Sequence, residues 1–487
     1  MVSVRLLASF IVPALLGAAI TQQTWNWCRP VRRAADATAA RVLVAALALP
    51  LGLGLCSCLY FSWLVASGPP GVGLAIVEGV VAAACMAVLS LGKSKEASAG
   101  ASVPIRRTAT GPVSGTVLLL TIAIAAACAL AGFVVTVLTS PHGQWDAWMT
   151  WNLSARFLFG GGSQWERAFS ETLRHPDYPL LVPGAVARAW YYAGTDTVAA
   201  PALIGFVFTA ATVMLGWASL VLLRSRREAH LAALVLLGTT FLILHGASQY
   251  ADVPVGWYFL AAVVIFFVHD DRPGVPGLVA LAGLAAGLGG WTKNEGLMFL
   301  LALAVGRCGA MWLLGDFRRA AREMAWFAAG AAPALVLTLY FKGHFAPANY
   351  LFSPGEHGLD VTVGRLLDVG RYRFLAGAIV RELMAFGESG MAAPIWLLAA
   401  YLLCTGVARR RDGDTALWTT MLTGCLMAIG HLLVLLVAPG DMPRLASASL
   451  NRLILQLWPA AVFTGFMVSR PWGVRQPRAR VREEQWT

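Results

Sequence analysis

Charge is scarce in this sequence. Asp, Glu, Lys and Arg make up 13% of the 487 residues, while hydrophobic types make up 58%. A soluble domain carries about a quarter charged residues, so an ordinary water-soluble fold is excluded. Strict apolar–polar alternation is missing as well, which argues against a membrane β-barrel. The apolar runs are continuous, and many approach the roughly 20 residues that cross ~30 Å of hydrocarbon as a helix. Paired cysteines are absent: Cys28, Cys56, Cys58, Cys85, Cys128, Cys308, Cys404 and Cys425 form no CxxC and have no histidine at zinc spacing. Most fall inside apolar runs and read as buried thiols. There is no GxxxxGK[ST] loop, no HExxH, no GxSxG and no internal repeat, so nucleoside-triphosphate and zinc-peptidase chemistry have no support.

What is present is a mean hydropathy of +0.67. It predicts an all-α fold, a polytopic transmembrane bundle of about thirteen spans. These lie near 4–22, 42–66, 71–92, 114–138, 201–223, 231–248, 251–268, 276–291, 294–314, 323–341, 391–408, 416–438 and 450–468. The net charge of +12 then needs no nucleic-acid partner, because Arg and Lys gather in short loops. Arg29, Arg32, Arg33 and Arg41 mark one loop; Lys93, Lys95, Arg106 and Arg107 mark another. Further groups are Arg224, Arg226 and Arg227; Arg272; Arg307, Arg318, Arg319 and Arg322; Arg409 to Arg411; and the tail from Arg470. All fall on one side of the span pattern, which the positive-inside rule makes cytoplasmic. The chain is expected in the cell (inner or plasma) membrane, with its N-terminus outside. Arg5 ahead of an apolar run also resembles a signal peptide, whose cleavage would leave the later topology unchanged.

This order divides the chain into N-terminal spans (1–112), a core (113–345), a second outer loop with C-terminal spans (346–469) and a basic cytoplasmic tail (470–487). The outer side receives two long segments, 139–200 and 342–390, and corners at 248–251, 291–294 and 438–450. The first segment is expected to form amphipathic helices around the break Gly160-Gly161-Gly162, lying at the lipid–water interface. Trp145, Trp148, Trp151, Trp165, Trp190, Tyr191 and Tyr192 crowd it in the manner of an aromatic belt.

Several charged residues, far apart in sequence, fall on that outer side. Asp146 stands in Gln144-Trp145-Asp146-Ala147-Trp148, where apolar surroundings would suit a general base; a helix N-cap would explain it too. Asp177 lies in His175-Pro176-Asp177-Tyr178-Pro179, and Asp252 opens a span in Tyr250-Ala251-Asp252-Val253-Pro254; both also read as caps or turns. Lys293 and Glu295 occupy a corner between apolar runs, where charge is costly and points to function, or to mutual neutralisation. Lys293 would suit a phosphate. Arg452 and Gln456, four apart, share a helix face. Arg156 and His175 offer further polar contacts in the outer segment, and Arg452 could equally snorkel.

In order and spacing these motifs resemble the GT-C fold glycosyltransferases, the group of the bacterial aminoarabinose transferases and protein O-mannosyltransferases. The pattern is Asp146 soon after a span, then Ala155-Arg156, His175-Pro176, Pro179-Leu180, Gly194-Thr195-Asp196, Asp252-Val253-Pro254 and Lys293, over residues 114–345. The resemblance implies a sugar donor on polyprenyl phosphate, transferred with inversion on the non-cytoplasmic face. It implies Asp146 as base, Lys293 with Arg452 or Arg156 against the leaving phosphate, and Asp177 and Asp252 orienting the sugar or, in some members, holding a divalent cation. His175, Tyr178 and Glu295 would bind substrate. Three spans precede the Asp-bearing loop, unlike the family, and no soluble outer domain follows the last span. A lipid or cell-envelope glycan acceptor is therefore expected over a protein. The rival readings are a polysaccharide polymerase or ligase using His344, His357, Arg371, Arg373 and Arg381, and a transporter, which would be expected to show repeated halves.

Overall fold

The computed structural model describes residues 2–22, 24, 34–94, 115–271, 275–348, 358–386, 394–408 and 414–470. Cys28, Arg29, Arg32, Arg33, Lys95, Arg106, Arg107, Arg272, His357, Arg409 to Arg411 and the tail after Arg470 lie outside the described residues. Among the described residues every regular element is helical, and the one extended pairing is an isolated bridge between Val407 and Ser469. Continuous apolar runs favour this outcome, since a helix satisfies its backbone polar groups within its own segment.

The chain begins with α1 (Val2–Ala8), α2 (Ile11–Ile20), the long α3 (Ala34–Ser67), α4 (Val72–Ser94) and α5 (Gly115–Thr139). The segment after α5 folds as a π-helical turn (Ala147–Trp151), α6 (Asn152–Gly160), a 3-10 turn (Gly162–Phe169) and α7 (Leu181–Ala193). Next come α8 (Ala199–Leu223), α9 (Arg226–Leu237), α10 (Thr240–Ala247), α11 (Asp252–Asp271), α12 (Pro276–Thr292), α13 (Asn294–Leu313) and α14 (Phe317–His344). The rest is α15 (Leu359–Leu367), α16 (Val369–Ala385), α17 (Pro394–Thr405), α18 (Thr415–Val437) and α19 (Met442–Val468). By length and composition nine described stretches can cross a membrane, or ten if α9 and α10, bent by 59° at their junction, form one broken span. The sequence-based figure of about thirteen also includes α12 and α17, which are shorter apolar helices, and α19, whose first half is polar.

At the centre stands α11, buried from Asp252 to His269 and apolar all round between its charged ends, as a core helix should be. It packs on α8, α12 and α19. The N-terminal helices join the same core. Tyr258 on α11 donates to the carbonyl of Pro50 (2.9 Å), Tyr60 to that of Leu158 (3.1 Å) and Ser57 to that of Leu180 (3.1 Å). One hydrophobic cluster runs from Leu6 to Met467. In contrast α5, which leads into the Asp146 segment, is almost wholly exposed along its sides.

The segment 139–200 turns inward more than an interfacial loop would. Trp145 and Trp148 are exposed, whereas Trp151, Trp165 and Trp190 are buried in the core. Helix α7, the last helix of the segment, is itself packed into the core and tied by Arg188, which donates to both oxygens of Glu78 on α4 (2.8 and 2.5 Å) and to the carbonyl of Ser9 (2.7 Å). Tyr192 donates to the same carboxylate (2.7 Å). The expected break at the glycines is present: the backbone turns at Gly162 with φ 55°.

Charged groups collect at the two ends of α11, whose 20 residues measure about 30 Å. At the C-terminal end Arg307 donates to Asp270 and Glu323 (2.7 Å each), and Arg319 joins both carboxylates. Arg224 donates to the carbonyl of Ser469 at this same end. The opposite end holds Asp252 and its partners.

Helices α12 and α14 approach most closely where glycines face backbone. A Cβ on Gly330 would fall 1.8 Å from the carbonyl oxygen of Ala280, and one on Gly283 2.0 Å from that of Phe327. Small residues permit such contacts, and any side chain there forces the helices apart. Gly330→Leu is expected to lower the thermal midpoint in detergent by several degrees. Gly343→Leu, on the same helix with open space around it, should leave it nearly unchanged.

Candidate functional site

The site is built on one carboxylate. Asp252, at the first position of α11, has no exposed surface. A charge so buried must be paired and hydrogen-bonded. Its Oδ1 accepts from Lys293 Nζ (3.0 Å) and Gln456 Nε2 (2.8 Å); its Oδ2 accepts from Arg452 Nε (3.0 Å) and Nη2 (2.7 Å). Lys293 sits at the break between α12 and α13, where its extended backbone (φ −152°, ψ 162°) separates the two helices. Arg452 and Gln456 are one turn apart on α19. That helix starts at Met442, not near 450 as expected, so Arg452 stands well inside it and below the mouth.

Asp146 joins through Arg452. It precedes the π-helical turn but caps nothing with its side chain. Instead its Oδ2 accepts from Arg452 Nη1 at 2.5 Å. The apolar surroundings expected for this carboxylate are therefore replaced by a guanidinium shared with Asp252. The backbone N–H of Asp146 donates to Tyr250 Oη (3.4 Å), and the Tyr250 ring lies under the guanidinium, 5.0 Å from Cζ.

Above these groups opens a cavity of about 410 Å³. Asp146, His175, Tyr178, Lys293, Glu295, Arg452 and Gln456 line it, joined by Arg174, Asp441 and Arg444. Lys293 also pairs with Glu295 Oε1 (3.0 Å). Two buried acceptors of lining residues, Glu295 Oε2 and Gln456 Oε1, have no donor. Tyr178 is stacked between Trp151 (centroids 5.4 Å) and His175 (4.6 Å), with Lys293 Nζ 5.8 Å from its ring centre. Burial first, and the neighbouring Arg174 second, hold the His175 imidazole below its ordinary pKa of 6.5. It is a neutral ring at pH 7.

Of the residues singled out from sequence, Asp146, Asp252, Lys293, Glu295, His175, Tyr178 and Arg452 come together here. Asp252 supports the floor and does not line the cavity. Asp177 faces away from it, taking Asn294 Nδ2 (2.9 Å) and Lys342 Nζ (3.4 Å), and so fixes the 175–178 turn to α13 and α14. Arg156 lies elsewhere, 3.6 Å from Asp196. The described residues considered for a polymerase, His344, Arg371, Arg373 and Arg381, do not line the cavity either. Arg371 donates to the carbonyl of Ala438 (2.7 Å), His344 stacks on Tyr340, and Arg373 and Arg381 are exposed. Asp441 and Arg444 were not singled out, because the 438–450 stretch reads as a bare corner, whereas α19 begins inside it. Arg174 had only its neighbour His175 as a signal.

Asp252 and Asp177 do not suit a divalent cation. Amino, guanidinium and amide donors occupy both oxygens of the first, and the second meets Asn294 and Lys342 on the far side of its turn. Among the described residues the one trio close enough to hold an ion is His269, Asp270 and Glu323, at the other end of α11, with Arg307 and Arg319 already on its carboxylates. The chain matches no family model, no curated protein and no solved structure.

Two outcomes follow. Asp252→Ala leaves Lys293 and Arg452 buried without their shared partner and should cost about 3–5 kcal/mol of stability. Asp146→Asn, at the open end, should cost far less; denaturation in detergent compares them. Between the depressed value of His175 and 6.5, the unfolded chain binds a proton that the folded site refuses. Stability should thus fall as pH drops through 6.5. Arg174→Ala should move the NMR titration of this ring upward.

Proposed function

We propose that the protein is a membrane glycosyltransferase that moves a sugar from a polyprenyl-phosphate donor to a lipid or cell-envelope glycan on the non-cytoplasmic face. The observation that carries this reading is the mixed lining of the 410 Å³ cavity. Lys293, Arg452, Arg174 and Arg444 suit a phosphate, while the polar lining of Glu295, Gln456, Tyr178 and Ser449 suits sugar hydroxyls. A glycosyl phosphate asks for both at once. The sidedness rests on Arg224, Arg307 and Arg319 lying at the end of α11 away from Asp252, since basic groups favour the cytoplasm. The resemblance in motif order to GT-C enzymes, with their interfacial outer helices, points the same way.

In this mechanism the donor phosphate enters between the helix ends and takes Nη1 of Arg452 from Asp146. Asp146, released, accepts the proton of the acceptor hydroxyl. The acceptor oxygen bonds to the anomeric carbon as the bond from that carbon to the phosphate oxygen breaks. The electron pair stays on the phosphate, where the preorganised Lys293 and Arg452 offset the growing charge. Asp252 keeps both cations in place and takes no proton. Glu295, Gln456 and Tyr178 orient the sugar.

Asp146→Asn should lower transfer of radiolabelled sugar from polyprenyl phosphate by two orders of magnitude or more, with expression and melting unchanged. Lys293→Ala should raise the donor KM more than the acceptor KM. Full transfer by Asp146→Asn would remove it as the base.

A further inference from the structure

Helix α16 does not lie above the bundle as part of a loop; it descends beside α19. At its start Arg371 donates to the carbonyl of Ala438 (2.7 Å), just ahead of α19. Midway, Leu375 and Ala378 join one apolar cluster with Ala446, Leu450 and Leu453 of α19. At its C-terminal cap the Phe386 ring meets that of Trp458, with centroids 5.6 Å apart. At 1.5 Å per residue, α16 measures about 22 Å from Arg371 to Phe386, and α19 about 24 Å from Met442 to Trp458. The two helices therefore run side by side in one direction. Trp458 stands about 15 Å from Val468 at the far end of its helix, half of the ~30 Å of hydrocarbon. Helix α17 accompanies the other half. A Cβ on Gly465 would fall 3.0 Å from Leu398 Cδ1, and the N–H of Ala408 donates to the carbonyl of Val468 (2.8 Å). Helices α16 and α17 thus follow α19 as two halves of one crossing.

The face of α16 turned away from α19 fits that setting. Val369, Ala376, Val380 and Met384 recur there at helical spacing and are exposed. A helix standing in water turns a polar stripe outward, not an apolar one. Arg373 falls within this stripe and Arg381 at its edge, both exposed. The backbone of Arg381 lies about 8 Å above the level of Phe386, below the interface. Its side chain climbs: Cζ is 5.9 Å from the ring of Phe374, about two turns nearer the start of the helix. Helical side chains lean that way, and a long cation in lipid reaches for the interface.

Among the described residues neither guanidinium pairs with a carboxylate. A charge facing lipid is costly and asks for a counter-charge. On this face lipid alone can supply one. Two guanidinium forks suit a phosphate oxygen set, and the apolar stripe suits the chain beneath it.

We propose that this stripe of α16 is a binding site for an anionic phospholipid of the leaflet at the Asp252 end. Arg373 and Arg381 hold its phosphate, and an acyl chain lies along Val380 and Met384. The site faces away from α19, so its ligand is a lipid of the bilayer and not the occupant of the 410 Å³ cavity. Leu453 belongs both to the cluster that holds α16 and to the lining of that cavity, so the bound lipid steadies the cavity wall from behind. The site stands without the transferase reading.

The test uses the full-length wild-type chain in lipid nanodiscs of equal parts phosphatidylglycerol and phosphatidylcholine, with a photoreactive diazirine in one chain of either lipid. The phosphatidylglycerol probe should label α16 about tenfold more than the phosphatidylcholine probe, one decade in affinity. Arg373→Gln with Arg381→Gln should erase that preference and leave the melting temperature unchanged, since both side chains point away from the packed face. Arg318→Gln with Arg322→Gln makes the same change of charge at the other end of the bundle and should leave the preference intact. Equal labelling of α16 by the two probes, or a preference that outlives the double replacement, would overturn the site. Displacement of the probe by undecaprenyl phosphate well below equimolar amounts would give the arginines to the carrier and overturn it too. Selective labelling of a protein that transfers no sugar would leave the site standing and sink the transferase reading.

Discussion

A carboxylate with no exposed surface at the first turn of a buried helix sets the terms for this structure. Asp252 can remain ionised there only if cations and amide donors are brought to it. The break between α12 and α13 delivers Lys293, and one face of α19 delivers Arg452 and Gln456. The position and rotation of these helices about α11 are thereby constrained from a single point. The other end of α11 repeats the device with Arg307, Arg319, Asp270 and Glu323. The central helix is thus pinned by charge at both ends and by apolar packing between.

The difference between the two ends lies in what surrounds the pairs. At the Arg307 end the carboxylates and guanidiniums satisfy one another. At the Asp252 end Arg452 is shared by two carboxylates, one fully buried and one facing a cavity. A guanidinium with fixed fork geometry can keep its two bonds to Asp252 while changing its third partner. A phosphate in the cavity would compete with Asp146 for that one position. Binding and the freeing of a base would then be the same event, a differential interaction of the kind needed to shift a local equilibrium.

Much of this was legible in the sequence, for definite reasons. Apolar runs locate the helices, because length and hydropathy are local properties; even α12 and α17, short as they are, fall where expected. Asp146, Asp252, Lys293 and Arg452 could be grouped because the alternation of the spans puts all four at the same side. Distances in the fold decided the rest. Nothing local distinguishes Asp177, which braces its turn against Asn294 and Lys342, from a carboxylate facing substrate. Arg156 has the charge of a phosphate ligand but lies beside Asp196, away from the cavity that Asp146 lines. Trp151, Trp165 and Trp190 look like an interfacial belt until they are seen packed in the core. The N-terminal helices show no role in the sequence, yet Tyr60 and Ser57 hold the segment 139–200 through the carbonyls of Leu158 and Leu180.

The central claim is that a lipid phosphate and Asp146 compete for Arg452. Direct binding of undecaprenyl monophosphate to the purified protein, measured by calorimetry or native mass spectrometry, tests it without any sugar transfer. The account predicts that Asp146→Asn binds this lipid several-fold more tightly than the wild type, and that Arg452→Gln binds it about tenfold more weakly. Unchanged affinity in both variants would contradict it.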